Sequence, residues 1–74
     1  MRFLFGVTGK EAPQELMGNP VVSDIMKNWR PDYNLFSITQ ISSRTGVKRP
    51  RVRRIVNRLI KEGVVKEKCQ KTLG

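Results

Sequence analysis

The side chains best suited to chemistry in this sequence are cations, concentrated between Gly46 and Arg54, where GVKRPRVRR holds five Lys or Arg in nine positions. Guanidinium and ammonium groups bind phosphate oxygens and the acceptor edges of bases. Such a run has three interpretations: a solvated charged surface, a nuclear localisation signal, or the leading edge of an element that reads nucleic acid. The flanking sequence decides among them.

The positive charge of the chain is confined to its second half. The net charge is +9, from 15 Lys and Arg against 6 Asp and Glu. Residues 1–43 contain four residues of each sign, whereas residues 44–74 contain eleven cations and two anions. A basic half beside a neutral half is typical of a polyanion binder, although composition alone does not separate DNA, RNA and a membrane surface.

Catalytic and metal-binding groups are scarce in the composition. There is no histidine and one cysteine, Cys69, so the sequence has no Ser–His or Cys–His nucleophile pair, no zinc site of the usual kinds and no intramolecular disulfide. Gly9-Lys10 does not complete a phosphate-binding loop, because Leu4 stands where that loop needs glycine and Glu11 where it needs Ser or Thr. We therefore expect a protein that is not an enzyme and takes no cofactor, metal or small-molecule substrate.

The sequence also lacks the marks of a membrane protein. No apolar run approaches the roughly 20 residues that span a bilayer. The apolar start, MRFLFGV, lacks the cleavage pattern of a secretory signal. A single cysteine suits a reducing compartment. We expect no membrane partner, and a cytoplasmic, nucleoid-associated location, or the nucleus in a eukaryotic host.

Two helices are predicted in the middle of the chain. The first opens at Asn19-Pro20, a good cap followed by a good first helical residue, and stops at Pro31. Its apolar stripe consists of Val22, Ile25, Met26 and Trp29. Trp29 has a second interpretation as a stacking platform for bases, but a stripe position favours the core. The second helix opens with the capping box Ser37-x-x-Gln40, directs Ile38 and Ile41 inward and ends at Gly46.

A third helix is predicted from Pro50 to Glu62, with Gly63 ending it. Its apolar residues cover an arc of about 140° on a wheel of 100° per residue. They are Val52, Ile55, Val56, Leu59 and Ile60. The other positions from Arg51 to Lys61 are Arg51, Arg53, Arg54, Asn57, Arg58 and Lys61. One face is therefore predicted to contact the core and the opposite face to present mainly guanidinium groups.

Short strands are predicted around these helices. Residues 1–7 alternate, with Phe3, Phe5 and Val7 on one face, and VVKEKC after Gly63 has strand composition, with QKTLG turning back. Leu35-Phe36 suffices only for a brief strand, and GKEAPQELMG is predicted to be a linker holding at most one helical turn. The apolar group Phe3, Leu4 and Phe5 has two interpretations, contact with a second copy or packing on the chain's own core.

Two helices joined by a three- or four-residue turn, the second one basic, form the helix-turn-helix pattern. That pattern expects a small residue four positions before the turn glycine and an apolar residue just after it. It also expects buried apolar residues six and nine positions after the glycine. These positions are occupied by Ser42, Gly46, Val47, Val52 and Ile55. Four of the five fit outright, and Ser42 stands where Ala is commoner.

The continuation GVKRPRVRRIVNRLIKEGVV resembles the winged helix-turn-helix family of DNA-binding regulators, whose recognition helix ends in a leucine, a charged stretch, a glycine and two apolar residues entering the wing. The resemblance spans residues 20–69. It implies a mainly α (α+β) fold, with a three-helix core, a small antiparallel β-sheet or wing, and the third helix in the major groove. It places Arg53, Arg54 and Asn57 at base edges.

Contacts to DNA phosphates are expected from a larger set of cations at the start of the recognition helix, along it and on the wing. The set is Arg44, Lys48, Arg49, Arg51, Arg58, Lys61, Lys66 and Lys68, with Lys71 also on the wing.

The sequence departs from the family in two places. The recognition helix usually has a Ser or Thr cap, whereas here the cap falls on Lys48 or Arg49, and cations at a helix N-terminus cost ~0.3–1 kcal/mol each. The free amides at that end would make it an anion site. A phosphate bound there would relieve the repulsion between the cations and the positive end of the helix dipole. Secondly, Gly74 leaves too few residues for a full returning wing strand. Either the wing is short, or residues beyond 74 are missing, or the N-terminal apolar segment supplies the strand.

We therefore expect residues 1–19 to be an N-terminal extension or linker, with a strand or a dimer contact, and residues 20–74 to be a winged helix-turn-helix domain. The expected function is sequence-specific binding of double-stranded DNA by a small transcriptional regulator. Because one such module buries only ~600–1,000 Å² on DNA, a homodimer or a partner protein is expected. The alternative is a winged-helix adaptor or an architectural accessory factor of recombination or replication, binding RNA, protein or DNA without strong sequence preference.

Overall fold

A computed structural model describes residues 2–31 and 35–70. The elements are strand β1 (Arg2–Val7), helices α1 (Gln14–Met17), α2 (Pro20–Asn28), α3 (Ile38–Thr45) and α4 (Arg49–Lys61), and strand β2 (Val65–Gln70). The predicted fold class, mainly α with a small antiparallel sheet, is confirmed. The turn expected over residues 31–34 and the returning segment 70–74 lie largely outside the described residues. No helix in the described part of the chain is long and apolar enough to cross a membrane.

Local capping chemistry starts α2 and α3 where the sequence predicts. Asn19 Oδ1 accepts a hydrogen bond from the Val21 amide at 2.9 Å, which satisfies one of the amides left unpaired in a first helical turn. Ser37 Oγ accepts from the Gln40 amide at 3.1 Å. The return bond of the predicted capping box, in which the Ser37 amide would donate to the Gln40 side chain, is not formed between these two residues. One half of the box is therefore sufficient to start α3.

Helix α4 begins and ends one residue earlier than the predicted span of Pro50 to Glu62. Gly63 follows it with φ +79°, a left-handed conformation that glycine adopts without strain. Lys10 Nζ donates to the Glu62 carbonyl at 3.0 Å. A cation is therefore held at the negative end of the α4 dipole by a segment the sequence suggested to be a linker.

The sheet has the N-terminal segment at its centre. β1 and β2 pair antiparallel, from Arg2 opposite Gln70 to Val7 opposite Val65. The other edge of β1 meets Phe36 through two backbone hydrogen bonds with Phe5, at 2.8 and 2.9 Å. Of the three accounts of the short wing, the structure shows the one in which residues 2–7 pair with the strand that follows the recognition helix.

The core lies between this sheet and the three longer helices. Phe36 is fully buried, and its ring centroid lies 5.9 Å from that of Phe5 and 5.3 Å from that of Trp29. Trp29 is only 4% exposed, so the core interpretation is confirmed and base stacking is excluded for this side chain. Phe5 is 2% exposed. It packs within its own chain and is not available to contact a second copy, while the side chain of Phe3 lies outside the described part of the structure.

Candidate nucleic-acid interface

Helices α3 and α4 are joined by a tight turn over residues 46–48. Gly46 has φ +74°, which reverses the chain at the end of α3. The Ser42 hydroxyl donates to the Val47 carbonyl at 2.6 Å, and Thr45 Oγ1 accepts from the Val47 amide at 3.3 Å. The two side chains therefore satisfy both polar groups of one turn residue. This explains why Ser42 is accommodated where the motif more often has alanine.

Helix α4 has one buried face and one charged face, as predicted. Val52, Val56 and Leu59 are fully buried, and Ile55 and Ile60 are partly buried against the core. The exposed side chains are Arg49, Pro50, Arg51, Arg53, Arg54, Asn57, Arg58 and Lys61. Because its buried side is packed between the other elements, α4 presents its cations from a rigid position.

The three residues predicted to contact base edges lie on this exposed face, but not equivalently. On a wheel of about 100° per residue, Arg54 projects nearly opposite the buried stripe. Asn57 lies about 60° from Arg54 on the same exposed face. Arg53 lies at the edge of the face, next to the partly buried Ile60. None of the three forms an ion pair or a side-chain hydrogen bond with another described residue. Their donors and acceptors are therefore available to a ligand.

A surface groove connects the turn to the first half of α4. It is lined by Gly46, Val47, Lys48, Pro50, Arg51 and Arg54. Lys48 is the N-cap, as one of the two predicted alternatives has it, and provides no side-chain hydrogen bond to the helix. Residues 48–54 contain five cations and no acid. Three of the residues that line the groove are cations and none is an acid, so the groove is electropositive.

The backbone at this helix end offers fewer free amides than an ordinary helix N-terminus. The amides of Arg51 and Val52 both donate to the Lys48 carbonyl, each at 3.0 Å. Pro50 has no amide hydrogen. The amides of Lys48 and Arg49 have no hydrogen-bond partner among the described residues, so two of the four amides at this helix start remain free for an anion. Attraction for an anion at this end comes mainly from the cationic side chains.

Arg44 is engaged within the fold. Its guanidinium Nε lies 3.2 Å from Asp24 Oδ2, and its Nη2 donates to Asp24 Oδ1 at 3.2 Å. Its central carbon lies 5.1 Å from the centroid of the Trp29 ring, within the range of a cation–π contact. Arg44 thus joins the end of α3 to α2. The sequence predicts a phosphate contact for Arg44. It does not predict the ion pair with Asp24, because the spacing of the two residues along the chain does not indicate that they meet.

Arg58 is also engaged, by two carboxylates. Its Nη2 lies 3.2 Å from Glu15 Oε1 and its Nε 3.4 Å from Glu62 Oε1. The Glu62 contact is an i,i+4 pair and is readable from the sequence. Glu15 is in α1, distant along the chain, and no sequence signal placed it beside α4.

The wing cations lie on β2. Lys66 and Lys68 are exposed and stand opposite Gly6 and Leu4 of β1. Residues directly opposite in an antiparallel pair share a face, so both lysines project from the face of the sheet that does not carry Phe5. Lys71, the other predicted wing cation, lies outside the described residues.

A comparison with protein-family models matches residues 37–66 to the family described as winged helix-turn-helix DNA-binding. The match covers about two fifths of the chain and includes α3, the turn and all of α4. Neither the curated proteins nor the solved structures contain a significant match. The family match agrees with the geometry of α3, the turn and α4, so the segment from residue 37 to residue 66 is similar to the winged helix-turn-helix DNA-binding family in both sequence and structure.

Proposed function

We propose that the protein is a sequence-specific binder of double-stranded DNA, acting as a small transcriptional regulator, with α4 in the major groove. The observation that carries this proposal is the exposed face of α4. It presents the guanidinium groups of Arg51, Arg53 and Arg54 and the amide of Asn57, which have no partner among the described residues. The opposite face of the same helix is buried. Directional hydrogen bonds to bases require such a rigid support, because displaced donors lose their geometry.

Arg54 and Asn57 are the proposed base-reading residues, with Arg53 at the edge of the contact. The planar fork of arginine donates to O6 and N7 of guanine together, and the amide of asparagine pairs with N6 and N7 of adenine. Arg54 faces directly away from the core and also lines the groove beside the turn. It is therefore the residue with the greatest expected effect on base preference.

The proposed phosphate contacts position the protein without reading sequence. They come from the start of α4, its far end and the wing: Lys48, Arg49, Arg51, Lys61, Lys66 and Lys68. Six such contacts give a slope of log binding constant against log salt of about −5, at ~0.9 per phosphate. We propose that Arg44 stabilises the α2–α3 contact instead, because Asp24 and Trp29 already occupy its guanidinium.

Stable binding to DNA is proposed to require a second copy of the chain or a partner protein. A single module of this kind buries only ~600–1,000 Å² on DNA. Two copies related by a twofold axis would read half-sites about one helical turn apart, roughly 34–36 Å.

The test is selection of bound sequences from a random duplex pool at two salt concentrations, followed by titration of two variants. Arg54→Ala is expected to weaken the selected site by about 1–3 kcal/mol and to relax preference at one base pair. Lys61→Ala is the matched control, an exposed cation on the same helix. It is expected to weaken all sequences alike and to reduce the salt slope by ~0.9.

The outcomes separate this proposal from its alternatives. A selected motif that broadens only in Arg54→Ala supports sequence-specific regulation. Salt-dependent binding with no selected motif would instead favour an architectural factor. An absence of duplex binding at low salt, together with capture of RNA or an acidic protein, would favour an adaptor.

A further inference from the structure

The cations of α4 are not equally available along the helix. Residues 48–54 include five cations and no acidic residue. One turn later, Arg58 contacts Glu62 from its own helix and Glu15 from α1. Two carboxylates around one guanidinium offset its positive charge. The electropositive face of α4 is therefore limited to its first half and Lys61.

We propose that Glu15 sets the boundary of the DNA interface, by withholding Arg58 from the phosphate backbone and so lowering sequence-independent affinity for duplex DNA. This inference rests on the proposed function. It identifies a specificity-setting residue in α1, outside the segment that matches the family.

The contact geometry supports this role. The Glu15 and Glu62 oxygens approach two different nitrogens of the guanidinium, Nη2 and Nε, so the edge formed by these two nitrogens is already occupied by carboxylates. The Arg58 side chain is 50% exposed and that of Glu15 is 69% exposed. A phosphate approaching Arg58 would therefore meet the Glu15 carboxylate as well, and like charges at close range repel.

The effect is expected to be modest, because exposed ion pairs are weak. Surface pairs contribute ~0.2–1 kcal/mol, which corresponds to about a 1.4- to fivefold change in a binding constant. Sequence-independent affinity for DNA is supplied by phosphate contacts. A single added contact should therefore tighten binding to any duplex and steepen its salt dependence.

The experiment measures binding of the full chain to a mixed-sequence duplex at several salt concentrations, so that no knowledge of the preferred site is needed. Glu15→Gln is expected to bind about 1.4- to fivefold more tightly at low salt, with a salt slope steeper by ~0.9. Glu11→Gln is the charge-matched control. Glu11 is exposed, lines a separate surface with Ala12, Met17 and Met26, and pairs with no cation in the described residues.

Arg58→Ala completes a double-mutant cycle. Where Glu15 is retained, Arg58→Ala is expected to change the affinity for the duplex less than twofold. Combined with Glu15→Gln, Arg58→Ala should abolish the tighter binding that Glu15→Gln alone produces. Equal gains for Glu15→Gln and Glu11→Gln, or a gain that survives Arg58→Ala, would overturn the proposal. Weaker binding by Glu15→Gln would also overturn it, since Glu15 would then orient Arg58 toward DNA. Failure of the proposed function gives a different result: the unmodified protein then shows no salt-dependent binding to the duplex. Failure of the Glu15 proposal alone leaves that binding intact and changes only the ranking of the variants.

Discussion

The turn between α3 and α4 depends on the backbone conformation of Gly46, and replacing this residue with alanine isolates that dependence. Its φ is +74°, and a Cβ placed on it would meet no atom within 4 Å. The penalty of Gly46→Ala is therefore conformational rather than steric. A left-handed residue with a side chain costs roughly 1–2 kcal/mol.

The chain supplies a matched control in Gly18, at the end of α1. A Cβ there also meets no atom within 4 Å, but its φ is −76°, which alanine adopts freely. Gly18→Ala should be neutral or stabilising by up to about 1 kcal/mol, because alanine restricts the unfolded chain. The two substitutions add the same methyl group and differ only in the sign of φ.

Thermal unfolding followed by circular dichroism and by the fluorescence of Trp29 measures the difference. For a domain of this size, 1 kcal/mol shifts Tm by about 4–8 °C. Gly46→Ala should therefore lower Tm by about 4–16 °C, whereas Gly18→Ala should leave it unchanged or raise it. Gly46→Asn should lose less than Gly46→Ala, since asparagine tolerates this region better. If the two alanine variants have equal Tm values, the left-handed turn is not required and the reasoning is refuted.

Two further substitutions test the core and the turn. Phe36→Ala should lower the free energy of unfolding by about 3–5 kcal/mol, because the fully buried ring of Phe36 contacts two other aromatic rings. A loss of this size is enough to unfold much of a small domain at 37 °C. Urea unfolding measures the loss, and a value below about 1 kcal/mol would contradict the assigned core. Ser42→Ala removes the hydrogen bond to the Val47 carbonyl and should cost about 0.5–1.5 kcal/mol. Ser43→Ala, an exposed neighbour, is its control, and equal effects of the two would show that the turn does not need the hydroxyl.

Much of the fold follows from local sequence. The Asn19 and Ser37 caps form the hydrogen bonds expected of their side chains, and Gly46 is left-handed where the pattern places a helix stop. The two faces of α4 follow from the spacing of its apolar residues. Each of these features involves residues only a few positions apart, whose interactions are determined by helix geometry.

The candidate site was predicted in part. The exposure of Arg53, Arg54 and Asn57 follows from the same helical spacing, whereas the accessibility of other cations does not. Arg44 and Arg58 looked equivalent to their neighbours in sequence, but each meets a carboxylate from another element. Whether an exposed cation is free depends on which acids the fold brings near it, and those acids are 20 and 43 positions away.

The sequence by itself determined the three longer helices, the basic face of α4 and the helix-turn-helix spacing, because these depend on periodicity and on caps within one or two turns. Tertiary structure alone decided that residues 2–7 lie between Phe36 and β2, that Lys10 caps α4, and that Glu15 contacts Arg58. These are pairings across more than 30 residues, and many alternative partners of similar composition exist along the chain. Only the simultaneous burial of Phe5, Phe36 and the apolar face of α4 in one core selects among them.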